Sequence, residues 1–471
     1  MKNGKYLYST SFVIGLSFNL LAQSKPNIVF ILADDLGWTD LGCMGSDFYE
    51  TPHIDQLRKE GMLFTQAYSN APNSAPSRAS IMTGLYTPRH GVYTVSPPDR
   101  GKAENRKLIP MPNNEELSNT FITIPQVLKQ NGYRTIHIGK WHLGNNDSIN
   151  SPMAHGFDIN IGGGRQGAPY SYFYPYGKGD KKLPGLSPSD DTSYLTDRLT
   201  NEAIKQIEIS GEQPFFLYFS HYTVHTPLEA KPEIEERYRN KKSGIRHKNA
   251  TYAAMIQSLD ESVGRIIKTL KRRGLYHNTL IIFMSDNGGM LNGVSDNTPL
   301  RGGKGTPYEG GNRVPLIISY SNKIEQNSLC TEPVVGIDIF PTILDFTHIS
   351  IAKQLDGVSL KKRLTSDVLL PQRNLYFFFP AYLESYDNKE AFRATPYSSI
   401  ISNNRKLIYF FENNQYVLYN LSDDIGEQKD LSNSEREMAL DMLNRLKEWQ
   451  KKVNAPFDFK RNFRYRPVKR V

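Results

Sequence analysis

Four short apolar runs each end in residues that can do chemistry. Asn27–Ala33 leads into Asp34 and Asp35, and Thr135–Gly139 into Lys140, Trp141 and His142. Phe215–Ser220 is followed by His225, and Thr279–Ser285 by Asp286 and Asn287. Asp34, Asp35, Asp286 and Asn287 offer only oxygen atoms, which suits a hard divalent cation such as Ca2+ or Mg2+. Taken singly, each Asp also fits a loop cap or a turn. Arg78, Lys140 and Lys304 add fixed positive charge, and His142 and His225 are candidate proton carriers. A cation ringed by such groups suits a tetrahedral oxyanion. Neither Cys43 nor Cys330 has a Cys or His partner at metal spacing, which argues against a thiolate zinc site. Their number leaves a Cys43–Cys330 pair and two free thiols equally open.

For these groups to meet, the runs must be neighbouring strands. Near-continuous apolar strands separated by helix-length spacers predict a parallel sheet covered on both faces. In such a sheet ligands bind beyond the carboxyl ends of the strands, which gathers the four polar clusters at one edge. Amphipathic patterns predict helices over Ile124–Gln130, Tyr194–Ile209 and Tyr252–Leu270. After residue 370 the pattern changes to consecutive strands at Asn374–Phe379, Tyr397–Ser402, Lys406–Phe411 and Gln415–Asn420, with a hairpin turn near Asn413 and Asn414. A helix from Asp430 to Val453, capped by Ser432 or Ser434, is expected to close the chain. The fold expected is α/β: a large, mostly parallel mixed sheet sandwiched by helices, plus a small C-terminal antiparallel sheet with one helix.

Residues 74–84, Ser-Ala-Pro-Ser-Arg-Ala-Ser-Ile-Met-Thr-Gly, read locally as a Ser/Pro turn entering a helix with Ser74 as its N-cap. The same stretch resembles the Cys/Ser-x-Pro-Ser-Arg signature of the type I sulfatases, members of the alkaline phosphatase superfamily. Gly132–His142 is similar to that family's second signature. The Leu300–Gly305 segment, with Tyr308–Gly311 and Arg313-Val314-Pro315, is similar to its lysine loop. Asp338–Thr342 and Asp356–Leu360 match its later landmarks, so the resemblance runs in order from about Pro26 to the C-terminal helix. One departure is Asn73, where the family has a small or aliphatic residue.

The resemblance implies an exported sulfatase that hydrolyses sulfate esters of glycosaminoglycan or galactan-type carbohydrate, acting on chain ends. It places the nucleophile at Ser74, oxidised to formylglycine by an anaerobic radical maturase, and adds that residue to the metal ligands Asp34, Asp35, Asp286 and Asn287. Arg78, Lys140, His142, His225 and Lys304 would complete the catalytic set. A phosphodiester or phosphonate hydrolase of the same superfamily is the alternative, and a catalytically dead sugar-binding relative a third reading.

Lys2 and Lys5 precede the apolar run Phe12–Leu21, which reads as a secretory signal peptide over residues 1–22 and a periplasmic or secreted bacterial protein. That run is too short for a membrane anchor. The expected division is a catalytic domain over 23–370 and an α+β subdomain over 371–471. The net charge of +9 is concentrated: Lys2, Lys5, Lys460, Arg461, Arg464, Arg466, Lys469 and Arg470 account for nearly all of it. The C-terminal six read either as a solvated tail or as a guide for sulfated polymer; no nucleic-acid motif accompanies them. The aromatic segment Tyr170–Tyr176 reads either as a sugar-binding wall or as a loop packed on the body. His90 either reaches the pocket or satisfies a buried backbone group.

Overall fold

The computed structural model describes residue 1 and residues 25–179, 182–186, 194–388 and 390–466; the segment read as a signal peptide and the end of the basic tail lie outside them. A nine-stranded mixed sheet forms the body. Its strands are β1 (Asn27–Ala33), β2 (Met62–Tyr68), β3 (Arg134–Gly139), β4 (Ile159–Ile161), β5 (Phe215–Ser220), β6 (Thr279–Ser285), β7 (Arg313–Ser319), β8 (Ser328–Cys330) and β9 (Val334–Val335). Across the sheet the order is β4-β3-β5-β1-β6-β7-β2-β8, with β9 also on β2. The run from β4 to β6 is parallel throughout, and β7 is antiparallel to both of its neighbours.

β1, β5 and β6 are buried on both faces, which is why they read as unbroken apolar runs. Alternate residues of β1 serve opposite layers. Val29 and Ile31 pack with the helices Leu195–Glu208 and Ala250–Arg272, whereas Ile28, Phe30 and Leu32 pack with Ser74–Thr83, Ile124–Gln130 and Ile339–Thr347. Where β3 leaves the sheet, Gly139 has φ +100°, and a Cβ there would lie 1.8 Å from the Ser220 carbonyl oxygen. Only glycine fits, and the chain turns there to deliver Lys140.

The second sheet has the order β10-β13-β14-β15 and is antiparallel: β10 (Leu375–Phe379), β13 (Tyr397–Ser402), β14 (Arg405–Phe410) and β15 (Gln415–Asn420). A two-stranded ribbon, β11 (Leu383–Glu384) with β12 (Phe392–Ala394), lies between β10 and β13 in sequence. The last helix spans Arg436–Lys452 and starts later than its apolar pattern suggests. Neither Ser432 nor Ser434 caps it. Asp430 instead accepts from the Leu418, Ser432 backbone and Ser432 hydroxyl donors at 2.8–3.0 Å, which spends the preceding residues on a turn. Asn414, with φ 55°, makes the expected hairpin turn.

The described part of the basic tail is docked rather than free. Ile109 N donates to the Lys460 carbonyl, Asn462 N to Lys107 and Arg466 N to Glu104, at 2.8–2.9 Å. Cys43 and Cys330 are free thiols. Among the described residues no helix is long and apolar enough to cross a membrane.

The two sheets are joined by a buried charge cluster. Lys406 of β14 pairs at 3.0 Å with both Glu309 and Glu427, and Glu309 also accepts from Tyr68 of β2 at 2.9 Å. Burial pushes Glu427 up to about 7 against the pull of Lys406. Lys406→Ala leaves two buried carboxylates facing each other and is expected to cost about 3–5 kcal/mol of stability, measured by urea denaturation. A change under about 1 kcal/mol would show that the cluster does not hold the sheets together.

Candidate active site

Four strand ends, one helix start and one loop build the site. Asp34 and Asp35 follow β1, Lys140 and His142 follow β3, His225 follows β5, and Asp286 and Asn287 follow β6. Ser74 opens the helix Ser74–Thr83, and Lys304 comes from the loop before β7. The N-cap of that helix is Asn73, not Ser74, and no side chain caps it. Asn73 instead donates to the Thr94 hydroxyl at 2.9 Å. This frees the Ser74 hydroxyl for the site.

One oxygen each from Asp34, Asp35 and Asp286 lies within 4.8 Å of the others, and all three residues are buried. Ser74 Oγ is 3.1 Å from both Asp34 Oδ1 and Asn287 Oδ1, and accepts from Lys140 Nζ at 3.2 Å. Asn287 Nδ2 donates to Asp35 Oδ1 at 2.8 Å, which turns its carbonyl oxygen toward Ser74. Three cations balance the acids. Lys140 Nζ is 2.7 Å from Asp34, Lys304 Nζ is 2.7 Å from Asp35, and Arg78 Nε is 2.8 Å from Asp286. Arg78 also donates to the Lys140 carbonyl at 3.1 Å and to the Ser220 hydroxyl. His225 Nε2 lies 3.6 Å from Asp35, and its Nδ1 donates to the Thr226 carbonyl at 2.7 Å.

The electrostatics are uneven. Burial pushes the Asp34 carboxyl up to about 7, with Asp286 and Asp35 adding to it and Lys140 and Arg78 opposing. Burial also acts on Asp35 and Asp286, but Lys304 and His225 hold Asp35 below the usual carboxylate range, and Arg78 and Lys140 do so for Asp286. Burial and Lys304 depress His225 to about 3. His142 is held well below its ordinary value by burial and by Lys140. Asp35 and His142 both have left-handed backbones, φ 61° and 63°, a conformation uncommon outside glycine that Asp and His adopt more readily than most residues. Hydrogen bonds from Asp35 N to Asp286 and from His142 N to the Gly164 carbonyl hold them there.

Every residue singled out for the site in the sequence is therefore brought to one sheet edge. Others go elsewhere. His90 is buried beside Ser80 and accepts from Val92 N at 3.2 Å, so it satisfies backbone. Tyr172 and Tyr176 are buried in the core, and what the region gives the pocket is Gly167 and Ala168. Asp338 and Asp356 serve as struts: Asp356 accepts from Tyr86 N just past the Ser74 helix, and Asp338 from Val335 N and Val358 N. Three pocket residues had no signal in the sequence. Arg100, Tyr386 and Arg393 lie in segments without motif or periodicity, yet they line the same cavity as Ser74, His142, His225 and Lys304.

The parallel sheet and its edge of buried acids, cations and a serine define an α/β enzyme with a site for an anionic ester. The chain belongs to the sulfatase family: the sulfatase model matches residues 26–349, and the model for the C-terminal part of N-sulphoglucosamine sulphohydrolase matches residues 303–452. Its activity is that of a sulfuric ester hydrolase. A "Sulfatase" of Formosa agariphila is 32% identical over 92% of this chain and 90% of its own length. The N-acetylgalactosamine-6-sulfatase of Mus musculus is 30% identical over 76% of this chain and 69% of its own. Among solved structures, Ps i-CgsB in complex with k-i-k-neocarrahexaose superposes with a TM-score of 0.74 at 31% identity, covering 90% of this chain and 93% of that one.

Arg78 is the buried counter-charge of the cluster, with no exposed side-chain surface. Arg78→Met strands Asp286 and is expected to lower stability by about 3–5 kcal/mol, read from the urea midpoint. A midpoint unchanged from wild type would contradict this balance of charges.

Proposed function

We propose that the protein removes sulfate from the ends of sulfated carbohydrate chains, with position 74 as the nucleophile after oxidation of the serine to formylglycine. The observation that carries this reading is the placement of Ser74 Oγ between Asp34, Asn287 and Lys140 at one wall of a pocket that His142, His225 and Lys304 also line. Names of relatives support the substrate class: one acts on N-acetylgalactosamine 6-sulfate by its name, and one solved structure holds a carrageenan-type oligosaccharide. A pocket of about 380 Å3 suits a terminal sugar with its sulfate leading.

The donor set fits a hard cation. Asp34, Asp35, Asp286, Asn287 and Ser74 present five oxygens toward one another with no nitrogen or sulfur ligand among them. Burial pushes Asp34 toward neutrality, with Asp286 and Asp35 adding to it, and a divalent ion such as Ca2+ held among these oxygens would favour its charged form. When bound, the ion and the hydrated aldehyde supply Lewis-acid charge and the attacking oxygen. The chain's own residues do the rest. Lys140 orients the group at position 74 and Arg78 locks Asp286. Lys304 presents positive charge to the pocket from a side chain 13% exposed. With Nδ1 committed to the Thr226 carbonyl, His225 keeps Nε2 for a proton passed to the leaving sugar oxygen. A bound sulfate raises that atom's proton affinity. His142 lines the same pocket as Ser74 and is the group assigned to take a proton from the nucleophile.

Export belongs to the same proposal, through the apolar Phe12–Leu21 segment, with the protein in the periplasm or secreted. So do maturation by an anaerobic radical enzyme and the division into a catalytic part over 23–370 and a C-terminal part over 371–471.

Ser74→Ala is expected to abolish sulfate release from an aryl sulfate while leaving the urea midpoint within about 1 kcal/mol of wild type, because the hydroxyl serves chemistry and not the core. Activity that survives the substitution refutes the assignment. Turnover of aryl phosphate above aryl sulfate would favour the phosphodiester or phosphonate alternative. Titrated Ca2+ is expected to raise the melting temperature, by an amount equivalent to about 2.7 kcal/mol at a hundredfold excess over Kd. Asp286→Asn should remove that stabilisation; a shift that persists would exclude this oxygen cluster as the ion's site.

A further inference from the structure

The pocket beside Ser74 holds more positive charge than one sulfate requires. Besides Lys304, its walls include Arg100 and Arg393, and among the described residues no Asp or Glu lines it. The Arg393 guanidinium stacks on the Tyr386 ring, 3.9 Å from its centroid. One terminal nitrogen donates to the Glu384 carbonyl at 2.8 Å, while the buried Nε has no partner. Arg100 donates to the Val95 carbonyl at 3.3 Å. Among the described residues, neither guanidinium lies within ion-pair distance of a carboxylate. The acidic side chain whose charge reaches both is Glu384, and Asp35 reaches Arg393. Burial holds both arginines below their ordinary value, and Arg100 depresses Arg393 further.

These two side chains belong to one wall. Asp99 bridges Tyr382, whose ring packs 4.9 Å from Phe392, the residue before Arg393. Gly101, next to Arg100, has no room for a side chain against Phe392. Arg106 clamps the loop from within by donating to the Gly101 carbonyl at 2.7 Å. Two like charges held together in a half-buried wall, with donors left over, are an arrangement that an incoming anion stabilises. A planar guanidinium matches the paired oxygens of a carboxylate or a sulfate.

We propose that Arg100 and Arg393 form a second anion subsite. It receives a carboxylate or a further sulfate on the sugar that bears the scissile ester or on its neighbour, so the preferred substrate carries at least two anionic groups. The inference rests on the sulfatase reading of the Ser74 site and adds the charge pattern of the substrate to it.

The test is equilibrium binding by calorimetry to the folded Ser74→Ala protein, which separates recognition from turnover. The probes are galactose 6-sulfate, galactose 2,6-disulfate, and galactose 6-sulfate linked to glucuronic acid. At least one two-anion probe is expected to bind about tenfold more tightly than the monosulfate. Which one does so identifies the second group as sulfate or carboxylate. Arg100→Gln and Arg393→Gln, each added to Ser74→Ala, should remove most of that preference, and Arg393→Lys should retain part of it; urea midpoints confirm that each variant folds. Equal binding of one-anion and two-anion probes, or a preference that survives both substitutions, overturns the subsite. Sulfate release by the matured wild-type enzyme is read separately on the same probes. Binding preference without release would sink the sulfatase reading alone, and release without preference would sink the subsite alone.

Discussion

Three carboxylates buried at one sheet edge must be balanced, and the architecture of the site follows from that demand. Asp34, Asp35 and Asp286 sit within one cluster, each against its own cation: Lys140, Lys304 and Arg78. Removing charged groups from water costs several kcal/mol apiece, and pairing recovers it only when the geometry is held. Here the geometry is held by strand ends: β1 and β6 are adjacent and in register from Asn27 opposite Thr279 to Ala33 opposite Ser285, so their following acids emerge side by side. The turn at Gly139 delivers Lys140 against Asp34, and the buried helix from Ser74 delivers both Ser74 and Arg78. A site of this kind exists only once the sheet has formed, because its members are up to 270 residues apart in sequence, as from Asp34 to Lys304.

The C-terminal sheet takes part in the same design. Lys406 carries charge from β14 to the buried Glu309 and Glu427 beside β2 and β7, and β12 with the loop that precedes it brings Arg393 and Tyr386 to the wall of the cavity beside Ser74. The docked tail reinforces the loop from Glu104 to Ile109, whose N-terminal neighbour bears Arg100. What looks like a loose basic end in the sequence is, up to Arg466, held to that loop by backbone hydrogen bonds and by the Asn462 amide.

What the sequence made legible follows from periodicity and chemistry. Strands buried on both faces leave a strong signal, so β1, β5, β6 and β13 have the bounds that the residues suggest, and the half-exposed β15 keeps its bounds as well. Because such strands end at a common edge, the acids, lysines and histidines after them could be grouped before any coordinates. Features set by competition between local hydrogen bonds were harder to read. The Ser432 and Asp430 turn displaced a helix start, and Asn73 displaced Ser74 as N-cap, although both serines are good capping residues. Arg100 and Arg393 were illegible for a different reason. Their place depends on how a loop and a ribbon from distant parts of the chain pack together, and no spacing within either segment records that. The tyrosines of 170–176 carried a true aromatic signal, but burial against Tyr194 and Tyr222, not exposure to a ligand, accounts for Tyr172.

The central claim is that the side chain at position 74 is a modified serine held for attack on a sulfate ester. The most direct measurement is the mass of the peptide containing Ser74 from protein produced with an anaerobic radical maturase, alongside sulfate release by the same preparation. The account predicts a peptide lighter by two hydrogens and hydrolytic activity that scales with the modified fraction across preparations. Full activity from protein whose Ser74 is unmodified would contradict it.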